Sequence, residues 1–525
     1  MLERMLRAWG PRTWWKAVMR ALVAAALAVA GAAERPADAP APDERLALEP
    51  CHLDGLAEQV LCGVHEVVED RAARAGRTIP IHVAVLPALR RAAAADPVFV
   101  LAGGPGQGAR GYAAVVARSF KEIRRARAIV LLDLRGTGGS RPLECPVPDD
   151  EIAALARGPH LYLGDARGCL AAIDADVRHY THAFALADLD DVRRRLGYGQ
   201  INLWGGSWGT RAALLYALTY PDAVRAVVLD GAVPLDAAFP ADVAPAAQRA
   251  MDLLHERCAA DPACAAAFAH PARDLDTLLA RLERAPITAA LKHPRTGAAV
   301  HVTFTRDTVA EIVRVALYTP GDAARLPLVI RRALDGDFAP LAAQFAHSTS
   351  WSSGDMALGA TMAILCSEDI AAATRLGPGP APRIGPEPAS RTNSGRAPRP
   401  GSGRTHGTFL RSAYADAWRD RCDGWPPGPP IVIDRAATSN APALILSGLH
   451  DPVAPPSSGE AMARHFPSHQ HLVVPGAAHN ASFTGCAPEL IAAFLDRESA
   501  GALDATCLAA APLPPIVLDH AGGRP

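Results

Sequence analysis

Short apolar runs alternate along the chain with stretches of helical period. The runs "IPIHVAVLPA" (79–88), "DPVFVLAGG" (96–104), "AIVLLDLRG" (128–136), "INLWGG" (201–206) and "AVRAVVLDG" (223–231) are rich in β-branched and apolar residues. Small or turn-forming residues bound them, as they bound buried strands. Helical patterns such as "ALADLDDVRRRLG" (185–197) lie between the runs. Strands alternating with helices predict an α/β protein with a mostly parallel central sheet flanked by helices, whose functional loops lie at the carboxyl ends of the strands.

Two further strand patterns, "APALILSG" and "HLVVPG", arrive only after Ala441. From about Pro234 to Pro430 the sequence is mainly helical and alanine-rich, as in "DTLLARLERA" and "VIRRALDGDF". The pattern predicts a sheet domain in two parts, residues 34–234 and 431–525, interrupted by a helical cap at 235–430 that sits over its catalytic edge. Inside the cap, Gly377 to Gly407 is a run of Pro, Gly, Arg and Ser with almost no apolar residues. Such composition cannot form a packed core and is expected to be a flexible surface linker.

At 525 residues the chain exceeds what one hydrophobic core usually serves, in keeping with an inserted second unit. The formal net charge is −1 and neither sign runs in long blocks, so nothing directs the chain to nucleic acid or to an anionic membrane. Arg4, Arg7, Arg12, Lys16 and Arg20 precede the apolar run Ala21 to Ala30 and the small residues Gly31, Ala32 and Ala33. This is the pattern of a secretory signal over residues 1–33. About thirteen uncharged residues fall short of the roughly 20 that cross a bilayer, so no lasting membrane insertion is expected. Ten cysteines in an exported chain then point to disulfides. Sequence does not fix their connectivity; joining neighbours would give 51–62, 145–169, 258–264, 366–422 and 486–507. No C-x-x-C pair, H-E-x-x-H or close Cys/His cluster is present, so no metal is expected.

Candidate chemistry centres on "INLWGGSWGTRAALLYALTYP" (201–221), where a strand pattern turns into a helix around Ser207. An N-cap would explain a serine there. It would not explain Gly205 and Gly209, which complete G-x-S-x-G, the sharp strand-to-helix corner that holds a nucleophilic serine outward. Such a nucleophile needs an oxyanion hole. The backbone N–H of Trp208 is one expected donor, and the glycine loop after Leu101, at Gly103 and Gly104, supplies the other. In the chain order Ser, Asp, His, Asp451 of "LILSGLHDPVAP" is the expected acid and His479 of "HLVVPGAAHNASFTGC" the expected base, with Asp230 as the rival acid. "DLRGTGGS" lacks the full G-x-G-x-x-G spacing, so no dinucleotide is expected; Asp133 and Arg135 there read as braces for the nearby glycine loop.

Taken together, "AGGPGQGA", "DLRGTGGS", "GGSWGTRAALLYALTYPDAVRAVVLDG", "LSGLHDPVAP" and "AAHNASFTGC" resemble the proline iminopeptidase and tripeptidyl aminopeptidase group of the α/β-hydrolases, over about Cys51 to Cys507. The resemblance implies an α/β-hydrolase fold with a helical cap over the triad. It also implies an exported serine peptidase that releases residues from peptides with a free N-terminus, without metal or organic cofactor. By analogy with the cap carboxylates of the group, Glu368 in "MAILCSEDI" is implied to anchor the substrate ammonium. Two departures stand out: Ala102 occupies the place where the iminopeptidase signature usually starts with histidine, and Gly377 to Gly407 lacks the helical character of a cap. An esterase using the same triad, or a binding protein on the same fold, stays open as an alternative.

Overall fold

The computed structural model describes residues 45–73, 75–146, 152, 155, 166–349, 356–370, 407–430, 434–497 and 502–519. The signal pattern over 1–33 lies outside the described residues, as does the Pro/Gly/Arg segment 377–407 apart from Gly407.

Nine strands form the main sheet: β1 (Glu49–Cys51), β2 (Val60–Val68), β3 (Thr78–Leu86), β4 (Val98–Leu101), β5 (Ile129–Leu132), β6 (Ile201–Gly206), β7 (Val224–Asp230), β10 (Ala443–Gly448) and β11 (His469–Val474). Their order is β1-β2-β3-β5-β4-β6-β7-β10-β11. From β5 to β11 every pairing is parallel, while β1, β2 and β3 pair antiparallel, so the sheet is mostly parallel as the alternating pattern predicts. Every residue of β4, β5, β6 and β10 is buried; β4 and β5 are apolar throughout, while β6 and β10 each carry one buried polar residue, Asn202 and Ser447. Successive residues supply opposite faces: Phe99 and Leu101 join one core, Val98 and Val100 the other.

Helices α1 (His182–Arg195) and α2 (Trp208–Thr219) belong to the sheet domain. Between β7 and β10 the chain leaves the sheet for α3 (Val243–Ala260), α4 (Pro271–Arg284), α5 (Arg306–Ala316), α6 (Leu358–Ile364) and α7 (Ala413–Cys422). In α4 the buried residues Leu275, Leu278, Leu279 and Leu282 make one apolar stripe, as the spacing in "DTLLARLERA" predicts. This stretch also holds an antiparallel hairpin, β8 (Ile287–Lys292) with β9 (Ala299–Phe304). A single π-helical turn, Leu365–Ile370, continues α6.

Five disulfides join Cys51–Cys62, Cys145–Cys169, Cys258–Cys264, Cys366–Cys422 and Cys486–Cys507, the neighbour pairing, and no cysteine is left free. Five bridges suit an oxidising extracellular or periplasmic setting.

Of the "DLRGTGGS" pair, Asp133 does brace the glycine loops: its oxygens accept the N–H groups of Arg110 and Gly139, each at 2.9 Å. Arg135 does something else. Its guanidinium reaches Asp188 of α1 at 2.6 and 2.8 Å, with both side chains fully buried, and donates to the carbonyls of Glu69 and His179. Arg71 binds the same Asp188 at 2.5 Å. Removing one member of a buried ion pair leaves the other charge without compensation, so Asp188→Leu is expected to cost about 3–5 kcal/mol of stability, read as a lower urea midpoint. An unchanged midpoint would deny this cluster its structural weight.

Candidate active site

Strand β6 ends at Gly206, α2 begins at Trp208, and Ser207 makes the corner between them at φ 54°, ψ −123°. A residue with a side chain adopts such a conformation at a cost of about 1–3 kcal/mol, and only where its surroundings enforce it. Here the Ser207 N–H donates to the Asp230 carbonyl at 2.7 Å, and the Ser207 carbonyl accepts from the Thr210 N–H at 2.9 Å and the Thr210 hydroxyl at 2.6 Å. The strand and helix also approach too closely for side chains. A Cβ on Gly205 would stand 2.4 Å from the Gly209 carbonyl oxygen, and one on Gly209 would stand 2.1 Å from that of Leu101. Both glycines of G-x-S-x-G are thus required by contact.

The loop after β4 lies against the serine. A Cβ on Gly103 would come within 2.9 Å of the Ser207 Cβ, and Gly104 follows at φ +108°. The chain inserted between β7 and β10 also holds this loop: the Ala357 N–H donates to the Gly106 carbonyl at 3.0 Å, and the Thr361 hydroxyl donates to the Pro105 carbonyl. Trp208 is buried, with the Arg211 guanidinium 4.4 Å from its ring centroid and Phe239 edge-on at 5.7 Å.

Asp451 follows β10 and His479 follows β11, neighbouring parallel strands whose carboxyl ends lie on one edge. The His479 Nδ1 is 2.7 Å from Asp451 Oδ2, while Asp451 Oδ1 accepts the N–H groups of Val453 at 2.9 Å and Ala454 at 2.8 Å. A proton on Nδ1 directed at the carboxylate leaves Nε2 as the basic nitrogen. Burial works to lower the His479 pKa, but the Asp451 charge and hydrogen bond outweigh it and raise the imidazole above its ordinary value. Burial likewise works to raise the Asp451 pKa, and the His479 charge with three hydrogen bonds holds it below the ordinary carboxylate range.

The rival acid Asp230 ends β7. Its carboxylate accepts the Ala481 N–H at 2.7 Å and the Ser482 N–H at 2.8 Å, so it clamps the segment just after His479. Burial pushes this carboxyl up to about 6. Consecutive residues at the end of β7 therefore touch both partners: Asp230 holds the serine backbone, and a Cβ on Gly231 would lie 3.1 Å from His479 Cε1. The structure thus brings Ser207, Gly103, Asp451 and His479 to one edge of the sheet.

Glu368 sits in the π-helical turn, with a side chain only 9 % exposed. Its two oxygens face His182, one accepting the backbone N–H at 2.8 Å and the other lying 2.5 Å from Nδ1. Burial acts to raise its pKa, and the facing His182 overcomes this and holds the carboxyl low. Next to it, Asp369 Oδ1 accepts from Arg211 at 2.6 Å while Oδ2 has no partner among the described residues. The Cys366–Cys422 bridge ties this turn to α7. Nothing local in the sequence connects His182 to Glu368, so this pairing is not legible there.

Residues 96–315 match the family model described as alpha/beta hydrolase fold, and residues 409–507 the one described as TAP-like protein. The chain is 30% identical over 202 residues to the tripeptidyl aminopeptidase of Streptomyces coelicolor, covering 35% of this chain and 37% of that protein. To the proline iminopeptidase of Neisseria meningitidis serogroup A it is 33% identical over 135 residues, covering 26% of this chain and 32% of that one. The matches thus span about a third of the length of these relatives. Among solved structures, the proline iminopeptidase of Mycobacterium smegmatis aligns with 82% of this chain and 96% of its own at 18% identity and a TM-score of 0.38.

A base that holds its proton more tightly than usual is lost at a higher pH on acidification. On an aminoacyl ester, kcat/KM is therefore expected to fall through an inflection above the 6.5 of an ordinary histidine. Asp451→Asn should lower that inflection and reduce kcat on the order of 10⁴-fold. Paired pH profiles of the two proteins check this, and an inflection that stays in place would detach Asp451 from the titrating group.

Proposed function

We propose that this chain, which belongs to the α/β-hydrolase superfamily and to its tripeptidyl aminopeptidase and proline iminopeptidase group, is an exported serine peptidase acting on peptides with a free N-terminus. The observation that carries the reading is the hydrogen bond of Asp451 to His479 Nδ1 on the strand edge where Ser207 stands in its strained corner. In the proposed reaction, Ser207 Oγ attacks the scissile carbonyl as His479 Nε2 takes its proton. The oxyanion is received by the Trp208 N–H with that of Gly103 or Gly104. The C–N bond then breaks, His479 returns the proton to the departing amine, and water hydrolyses the acyl ester by the reverse use of the same base. Five disulfides support export, together with the basic and apolar leader pattern.

Glu368 is the carboxylate we assign to the substrate ammonium. Its support is that it stays ionised in a buried turn of the cap, where charge-assisted hydrogen bonds are strong. Because both its oxygens already face His182, the ammonium must share or displace that imidazole.

A fluorophosphonate probe is expected to label Ser207 alone, mapped by peptide mass analysis, and Ser207→Ala should lose on the order of 10⁶ in turnover. Label on another residue would sink the triad. Free peptides should be cleaved faster than their N-acetylated forms, and Glu368→Gln should remove most of that preference while sparing small uncharged esters. If Glu368→Gln lowers the melting temperature but keeps the preference, Glu368 is only the support of His182. Equal cleavage of acetylated peptides would favour an acyl hydrolase without the N-terminal requirement.

A further inference from the structure

We propose that Tyr318, held from behind by the buried Arg314–Glu311 pair, is a positioning residue for the imidazole of His479. The cap then carries part of the support of the base. The inference rests on the reading of His479 as the base.

Tyr318 stands two residues beyond the end of α5, in the chain inserted between β7 and β10. Its carbonyl accepts the His479 backbone N–H at 3.1 Å. Its ring meets the imidazole edge to face, centroids 5.2 Å apart and planes at 75°. Gly231 is a second neighbour of the imidazole, so close that a Cβ would stand 3.1 Å from Cε1 and 3.3 Å from Nδ1. Of these three neighbours of the ring, Asp451 at Nδ1, Gly231 and Tyr318, it is Tyr318 that comes from the inserted chain.

The phenol is fixed in turn. Arg314 Nη1 donates to the Tyr318 hydroxyl at 3.1 Å, and the same guanidinium makes two parallel bonds of 2.7 Å to Glu311. Arg314 is 5 % and Glu311 3 % exposed. The guanidinium also lies 5.4 Å from the Tyr318 ring centroid and 4.9 Å from that of Tyr414, so aromatic faces enclose it. A buried ion pair adds little net stability over apolar residues of the same size; here its two parallel bonds fix the orientation of the guanidinium. Here that orientation passes through the phenol ring to the imidazole, where a misplacement of about 1 Å costs on the order of 10²-fold in rate.

The test uses the full chain, a small uncharged ester and the fluorophosphonate probe. Tyr318→Leu removes the ring, and Tyr318→Phe keeps the ring but not the hydroxyl. The double change Glu311→Leu with Arg314→Met replaces the ion pair by apolar bulk. Tyr318→Leu is expected to lower kcat and the labelling rate of Ser207 together, by about 10- to 100-fold. KM should stay within about threefold, and the acid inflection of kcat/KM should move. Tyr318→Phe should recover most of the loss, and the double variant should keep its unfolding midpoint while slowing labelling by about tenfold. The proposal is overturned if folded Tyr318→Leu labels at the wild-type rate with an unmoved inflection. Should Tyr318→Leu fail to fold, the double variant decides, and a wild-type labelling rate there overturns it equally. Failure of the function reading is a separate result: the wild-type protein itself would then not label at Ser207.

Discussion

A serine with a β-carbon held at φ 54° is the constraint around which this molecule is arranged. Nothing in Ser207 itself favours that conformation; the residues on either side of it do. Gly205 and Gly209 let β6 and α2 come together, the Asp230 carbonyl takes the serine N–H, and Thr210 caps the serine carbonyl twice. The conformation depends on β7 lying beside β6 in the right register, with Gly206 opposite Asp230. Since β7 also pairs with β10, and β10 with β11, the register that strains the serine is the one that delivers Asp451 and His479. Strain, strand order and the histidine–carboxylate pair are one arrangement seen from three sides.

Charge is placed by the same logic. The deeply buried charged side chains meet opposite charges or backbone donors: Arg135 with Asp188, Arg314 with Glu311, Arg211 with Asp369, and Asp230 with two N–H groups. Each would be expensive in isolation, and the opposite charge or the backbone donors offset that cost, although Arg211 Nε and Asp369 Oδ2 are left without a hydrogen-bond partner among the described residues. Asp451 and Asp230 show how environment separates two buried carboxylates at adjacent strand ends. The first faces an imidazole and is held low, whereas burial of the second prevails over its backbone donors. The 2.7 Å contact with Nδ1 pairs Asp451 with His479, while Asp230 holds the loop through its two backbone hydrogen bonds.

The sequence made β4 and β5 legible because each is apolar throughout, and β6, β7 and β10 because apolar residues dominate them, and it made the serine corner legible because two glycines cannot be exchanged there. Other parts were silent for physical reasons. In β2, "VLCGVHEVV" mixes buried, partly buried and exposed positions, so neither strict alternation nor a continuous apolar run announces an antiparallel strand. Strand β8 does alternate, but with an alanine on each side, Ala289 and Ala290, the alternation hardly registers against an alanine-rich helical background. The sequence points Arg135 toward the nearby glycines, whereas its partner Asp188 lies on a helix reached only after the chain returns. The pairings of Glu368 with His182 and of Tyr318 with His479 likewise join distant segments, and periodicity carries no information about which distant segments meet.

Those long-range pairings bear on what kind of cap this is. A cover that merely rests on a sheet domain would touch it through side chains at its rim. This one donates from Ala357 to the glycine loop, accepts at Tyr318 from the histidine backbone, and offers Glu368 to the first turn of α1. Backbone hydrogen bonds of this sort are directional and short in range, so shifting the cap by even an ångström or two would break them and disturb the loop beside Ser207 and the ring of His479 together. The glycine loop and the imidazole therefore have two supports each, one from the sheet and one from the insertion. On this structure that strand edge has its full set of contacts only when both parts of the chain are in place.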